Sequence, residues 1–261
     1  MNPTLDVIEK RRSVRAFSPE PISLEERQTI LHAAFRAPTA GAMMLYSIIE
    51  VNDQALKDRL AETCDHQPFI AKAPYLLLFL ADYQRWMDVY TYSGVEERCR
   101  ELGVPYRTPQ AGDLMLACCD ALIAAQTAVI AAESMGIGSC YVGDILEQYE
   151  VHRQMFNLPR YVMPLTLVCF GRPASPAASA TQRKLVARFD RRFIVHTDRY
   201  QPISQAGVGE MFRLFAEQSG IDWKLSGDAQ NFGQENYLRK FSATFSIEMS
   251  RSVNAMLKNW E

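Results

Sequence analysis

Between Gly112 and Met135 the chain carries about six turns of helix with apolar residues on almost every side: Leu114, Met115, Leu116, Ala121, Leu122, Ile123, Ala124, Ala125, Val129, Ile130 and Ala131. Such a helix is disfavoured on a wet surface, where each apolar side left uncovered forfeits the gain from burial. It should be covered all round, which places it at the centre of a fold or of a dimer. The rest of the chain has to be arranged about it.

The flanking patterns supply layers for that arrangement. Thr4 can cap a short helix carrying Leu5 and Ile8. Ser23-Leu24-Glu25-Glu26 is a capping box that opens a second helix, with Leu24, Leu31, Ala34 and Phe35 on one face and a break at Pro38. Ser47 to Val51 reads as a strand. Pro74 to Ala81 is a continuous apolar run, as in a strand buried on both faces, and a third strand runs from Pro164 to Phe170 and stops at Gly171. The class is therefore mixed α and β. Residues 173–182 form a connector of small residues and proline. Beyond Tyr200 the composition turns polar until a last helix near 242–259, where Phe245, Met249, Val253, Met256 and Trp260 draw one apolar stripe. The stripe packs on its own domain or, as expected here, across a dimer. The domain reading is 1–198 as one domain and 199–261 as a C-terminal helical extension.

Charge and composition exclude several partners. With 261 residues, of which 48% are hydrophobic and 22% charged, the chain can fill a sizeable core. Its 28 Lys+Arg against 30 Asp+Glu produce no field that would gather nucleic acid or an anionic membrane. No run of 18 uncharged apolar residues occurs and the N-terminus lacks signal-peptide features, so a cytoplasmic location is expected. Cys64, Cys99, Cys118, Cys119, Cys140 and Cys169 form no C-x-x-C pair and are expected to be reduced, buried structural thiols, with no metal site. His32, His66, His152 and His196 sit in no triad spacing and are assigned structural or surface roles.

Against that neutral background, Arg11-Arg12-Ser13-Val14-Arg15 concentrates three cations and a hydroxyl where the first helix should end. A helix C-terminus carries partial negative charge, so an anion held there needs arginine side chains to overcome the local dipole. Ala37-Pro38-Thr39-Ala40-Gly41-Ala42 has the small residues needed where backbone approaches a flat ligand, and also those of an ordinary turn. Gly136-Ile137-Gly138-Ser139-Cys140-Tyr141-Val142-Gly143 superficially looks like a dinucleotide fingerprint, but it follows a helix and holds Tyr141 where the third glycine belongs. It reads as some other glycine loop. Arg188, within Val186-Ala187-Arg188-Phe189-Asp190, is a distant cation that could meet the first cluster only in the folded state.

Taken in order, these segments and the stretch from Leu158-Pro159 to Gly171-Arg172-Pro173 resemble the FMN-dependent nitroreductase family over roughly residues 5–195. The resemblance implies an α+β fold, a mostly antiparallel central sheet flanked by helices, and an intertwined homodimer with two FMN sites at the subunit interface. It implies that Arg11, Arg12, Ser13 and Arg15 grip the FMN phosphate and ribityl chain and that Arg188 closes on the same phosphate. Pro38, Thr39 and Ala40 match the segment lying along the flavin from the partner subunit, and Gln67 matches a polar residue near the pyrimidine edge. Tyr141, Val142 and Gly143 match the loop whose backbone N–H groups point at flavin N5 and O4. The implied activity is hydride transfer from NADH or NADPH through FMN to a nitroaromatic, quinone or related acceptor in a ping-pong cycle, with no side-chain base. Reductive dehalogenation and non-catalytic flavin binding are the alternatives. The chain departs from the family at Ala42-Met43-Met44-Leu45-Tyr46, where members often carry asparagine followed later by Gln-Pro-Trp. Residues 83–106, with Tyr83, Trp86, Tyr90, Tyr92 and Tyr106, match the variable wall of the substrate pocket or pack at a dimer surface.

Overall fold

The computed structural model describes residues 2–175, 185, 187–219, 225 and 228–261, so most of the 173–182 connector lies outside the described residues. Helix α1 (Pro3–Lys10) starts under Asn2, whose side-chain oxygen accepts from the Thr4 amide at 2.9 Å; Asn2, not Thr4, is the cap. In α2 (Leu24–Phe35) both halves of the expected capping box are made. Its buried stripe is Ile30 and Ala34, whereas Leu24 and Phe35 are exposed. Those two lie about 100° further round the helix, turned away from the sheet.

Four strands, β1 (Tyr46–Glu50), β2 (Tyr75–Asp82), β3 (Gly138–Val142) and β4 (Val162–Gly171), form one sheet in the order β1-β2-β4-β3 with every pair antiparallel. The segment expected to be a glycine loop is thus largely strand β3, paired from Gly138 with Gly171 through Val142 with Leu167. Its glycine has a packing role. A Cβ at Gly138 would lie 2.6 Å from Cγ2 of Val14, so only glycine lets the arginine segment cross this close.

Period-two alternation along β2 divides the core. Tyr75, Leu77 and Phe79 face a layer made by α2 and by α7 (Ala111–Ser134), and Leu76, Leu78 and Leu80 face the opposite layer with Leu60 of α3 (Gln54–Thr63) and Ile70 of α4 (Pro68–Lys72). Helix α7 touches all four strands, and five of the six residues it sends into that layer, Ala121, Ala124, Ala125, Ala128 and Ala132 beside Val129, are alanines, small enough for helix and sheet to approach closely. By length and composition alone α7 could cross a membrane, yet it buries nine residues in this fold. Burial stops at that face. Met115 is 64% exposed, with Leu116, Leu122 and Ile123 also open, so the helix is covered on one side by its own chain and not all round.

Helices α5 (Gln84–Tyr92), α6 (Val95–Leu102) and α8 (Tyr149–Met155) complete this part of the molecule. The described chain divides into two compact units, Met1–Arg183 with Glu248–Glu261, and Lys184–Ile247, whereas the sequence suggested one boundary after residue 198. The second unit holds α9 (Gln205–Ser219) and α10 (Phe232–Asn236), with Phe189, Phe212, Phe215 and Phe232 packed together in tilted and edge-on ring contacts. Helix α11 (Thr244–Trp260) belongs to the first unit from Glu248 onward. There Met256 and Trp260 are fully buried against Leu45, Tyr83, Leu114 and Tyr161. For Met256 and Trp260 this corrects the expectation that the stripe packs on a partner: the last turns pack with Leu114 of α7 and Met163 of β4 in their own chain, and Val253 packs against them, whereas Phe245 and Met249 lie outside that cluster.

Candidate functional site

The arginine segment leaves α1 and runs beside the outer edge of β3. Ser13 pairs with Ser139 in a parallel bridge, and the Val14 amide donates to the Ser139 carbonyl at 2.8 Å. Because β3 is an edge strand, its alternate N–H and C=O groups point away from the sheet, and the chain past Ser139 carries Tyr141, Val142 and Gly143 along that edge. Arg11 and Arg15 both act electrostatically on Cys140, and the Ser13 side chain hydrogen-bonds its thiol. The Arg15 guanidinium lies 5.9 Å from the centre of the Phe69 ring. Arg12 is the informative member: its Nε and Nη1 are buried and have no hydrogen-bond partner. Two covered guanidinium nitrogens left without acceptors are costly unless an anion supplies them, so the residues present fit an anionic group.

Gln67 joins the same neighbourhood from the turn after α3. Its Nε2 donates to the Cys64 carbonyl at 3.0 Å and to Asp144 Oδ2 at 2.7 Å, which ties it to the residue following Gly143. Tyr141 sends its hydroxyl to Gln126 Oε1 at 3.2 Å, and burial raises its pKa to about 12. Glu133, near the end of α7, accepts from Ser139 Oγ at 3.3 Å; burial outweighs the attraction of Arg11 and holds its carboxyl at about 7.

Pro38, Thr39 and Ala40 are held elsewhere, on Asp120 in the middle of α7. Asp120 accepts from the Thr39 hydroxyl, from the Ala40 amide at 2.9 Å and from the Leu45 amide at 3.0 Å, while Thr39 Oγ1 accepts from the Met44 amide at 2.8 Å. On its other side the segment is held by α5, where Trp86 Nε1 donates to the Met43 carbonyl at 2.8 Å and Arg85 donates to the Met44 carbonyl. This grip maintains a backbone in which Gly41, Ala42 and Met44 all have positive φ, a conformation that costs energy at Ala42 and Met44. The sequence did not point to Asp120 or Arg85, and for Asp120 the one available signal was a carboxylate inside an apolar helix; Trp86, expected in the variable pocket wall or at a dimer surface, is tied here to the Met43 carbonyl. Arg188 lies in the second unit, where its Nη1 donates to the Ala187 carbonyl at 3.3 Å.

The remaining candidates for chemistry have structural roles. His152 is fully buried between the Ile145 carbonyl at 3.0 Å and Thr63 Oγ1 at 2.8 Å, and burial lowers its pKa. Cys64, Cys140 and Cys169 are buried and their thiol pKa values are raised by burial, but Cys119 is exposed on the open face of α7, against the expectation that all six are covered. Among the described residues no group of three His, Cys, Asp or Glu side chains could hold a metal ion.

Comparison with known proteins fits this geometry. A sequence profile described as "Nitroreductase family" matches residues 8–172. The oxygen-insensitive NADPH nitroreductase of Salmonella typhimurium is 30% identical over 217 residues, 83% of this chain and 82% of that protein. The FMN reductase (NADPH) of Bacillus subtilis is 31% identical over 202 residues, 77% of this chain and 78% of its own. Among solved structures, nitroreductase A from Vibrio parahaemolyticus shares the fold with a TM-score of 0.79 at 22% identity, over 98% of each chain. The NADPH:FMN oxidoreductase from Vibrio harveyi complexed with NAD+ does so with a TM-score of 0.78, also at 22% identity and over 98% of each chain. With a profile match across most of its length and a relative at 30% identity over more than four-fifths of it, the chain belongs to the nitroreductase family.

Proposed function

We propose that this chain is an FMN-dependent NAD(P)H oxidoreductase that passes hydride to a nitroaromatic, quinone or related acceptor by a ping-pong cycle. The observation that carries the reading is that Nε and Nη1 of the half-buried Arg12 are covered and have no acceptor, next to Arg11, Ser13 and Arg15 along the edge of β3. Arg11, Arg12, Ser13 and Arg15 would hold the phosphate and ribityl chain. Gln67 would bind the pyrimidine edge, and the backbone of Tyr141, Val142 and Gly143 would donate along the ring. FMN held by these residues would supply the hydride chemistry that links a nicotinamide to a second substrate.

The protein's part is to stack, orient and tune, which accounts for a site without a histidine base. The proposed assembly is a homodimer built on the open face of α7. Asp120 and Glu133 are separated by about 20 Å of helix, so the Pro38–Ala40 segment of one chain is remote from its own arginine segment. A second copy would bring the two together.

FMN titration tests the reading. Charge-assisted arginine to phosphate bonds contribute on the order of 1.5–3 kcal/mol each, so Arg12→Gln should weaken FMN binding at least about tenfold. The yellow colour should fade on mixing with NADH or NADPH and return with acceptor, and rates at several acceptor concentrations should give parallel double-reciprocal lines. A wild type with no affinity for FMN would overturn the assignment, and intersecting lines would remove the ping-pong step.

A further inference from the structure

The turn between α2 and β1 is built on a backbone that its own residues disfavour. Ala42 and Met44 hold φ of 56° and 50°, a left-handed conformation that is strained for a side chain with a Cβ, and Gly41 beside them holds 55°. Two elements remote in sequence keep it there. From α7 the buried Asp120 accepts from the Thr39 hydroxyl, the Ala40 amide and the Leu45 amide, so both ends of the turn close on one carboxylate. From α5, Trp86 Nε1 donates to the Met43 carbonyl and the Arg85 guanidinium to the Met44 carbonyl. Strain of this kind persists only where the surroundings over-determine it, and it concentrates at sites that bind or switch. The outer side of the turn is open to a ligand, since Pro38, Gly41 and Ala42 are exposed. Its anchor also lies beside the open face of α7, where Leu116 and Ile123, about one helical turn either side of Asp120, are exposed.

We propose that Asp120 is a positioning residue for flavin binding across the dimer: it fixes the turn of its own chain so that Pro38, Thr39 and Ala40 meet the FMN held by the arginine segment of a second copy. The proposal rests on the flavin reading and on the homodimer proposed above. Three donors converging on one carboxylate hold it in a single orientation, and the turn with it, which is what a surface presented to a flat, rigid ring system requires. Asp120 is remote from the arginine segment of its own chain. About 20 Å of helix separate it from Glu133, whose carboxyl meets Ser139 where that segment crosses β3. Its action on a flavin phosphate site is therefore expected on the neighbour's, next to the face of α7 that its own chain leaves open.

Subunit pairing tests this. FMN affinity is measured by quenching of flavin fluorescence for wild type, Asp120→Ala, Arg12→Gln and the heterodimer of the two variants, isolated through two different affinity tags. Asp120→Ala should bind FMN about tenfold more weakly, the loss of roughly one contact, while circular dichroism shows it folded. In the heterodimer the Asp120→Ala chain contributes an intact arginine segment and the Arg12→Gln chain an intact turn. If the turn serves the neighbour, these two meet in one site, which should bind FMN with wild-type affinity, and the other site, carrying both defects, should bind more weakly than either variant. A role confined to the stability of its own chain leaves every site with a defect. A heterodimer without a site of wild-type affinity therefore overturns the proposal, and so does an Asp120→Ala homodimer that binds FMN like wild type. Should Asp120→Ala not fold, Asp120→Asn, which can accept on one side only, takes its place in the same pairing. A wild type without affinity for FMN would defeat the flavin reading and this proposal with it, whereas a monomeric wild type that binds FMN would defeat this proposal alone.

Discussion

Asp120 is a carboxylate inside a helix that otherwise buries alanine, valine and leucine, and at 2% exposure its desolvation has to be offset by what it accepts. Two backbone amides and one hydroxyl meet that need, and in return the 39–45 segment keeps a backbone that its own residues do not favour. Replacement by alanine should cost on the order of 2–4 kcal/mol by urea denaturation, with Asp120→Asn retaining part of it, since the amide oxygen still accepts. An alanine variant as stable as wild type would show that the segment holds itself. Glu133 works in the opposite direction. Burial raises its carboxyl from 4.5 to about 7, so the folded chain keeps a proton that the unfolded chain has already released, and stability falls as pH rises through that window and is level above it. Glu133→Gln should therefore stabilise the protein at pH 8 and do little near pH 4.5, with a gain on the order of 1 kcal/mol after solvent screening. Equal gains at both pH values, read from thermal unfolding, would contradict this.

The proposed homodimer turns on helix α7. Its alanine face is occupied by the sheet and α2, and Met115, Leu116, Leu122 and Ile123 are left open, with Leu5 and Ile8 of α1 exposed as well. An apolar surface of this kind on a chain otherwise well supplied with charge marks an interaction face. Met115→Glu places a charge on a side chain that is 64% exposed in the single chain, so it should leave the protomer folded by circular dichroism. Dimerisation should weaken, and FMN retention with it, if Pro38, Thr39 and Ala40 serve the neighbour's site. Light scattering that finds the variant still dimeric at micromolar concentration would move the interface elsewhere.

Across the whole molecule, the C-terminal helix closes the first unit. The Arg251 guanidinium pairs with both oxygens of Glu150 at 2.9 Å, Ser252 Oγ accepts from the Tyr149 amide at 2.9 Å, and Trp260 packs edge-on against Tyr161 at 5.5 Å. The apolar contacts outweigh the exposed ion pair, which by itself contributes about 1 kcal/mol or less. Trp260→Ala should cost on the order of 3–5 kcal/mol, because the cavity opens between elements distant in sequence and cannot readily collapse. Thermal unfolding measures it, and a cost below about 1 kcal/mol would mean that α11 merely rests on the unit.

The chain's local order determined what local forces decide. Capping at Ser23, the unbroken apolar run of β2 and the length of α7 are set by neighbours within a few residues, and each appears close to where the pattern puts it. The chemical character of the arginine segment was equally legible, since three cations in five residues have few uses in an otherwise neutral chain. Tertiary structure alone decided the rest. Residues 138–142 become a strand because β4 and the arginine segment lie on either side of them, not because of their own propensity. Which face of α7 meets the sheet could not be read from a helix apolar on all sides, because periodicity carries no direction when every side is alike. Asp120 with Thr39 and Asp144 with Gln67 are contacts across 81 and 77 residues, and the destination of Trp260 is longer-range still. No pattern with a period of two or 3.6 residues encodes such pairs; they exist only once the sheet has brought the ends of the chain together.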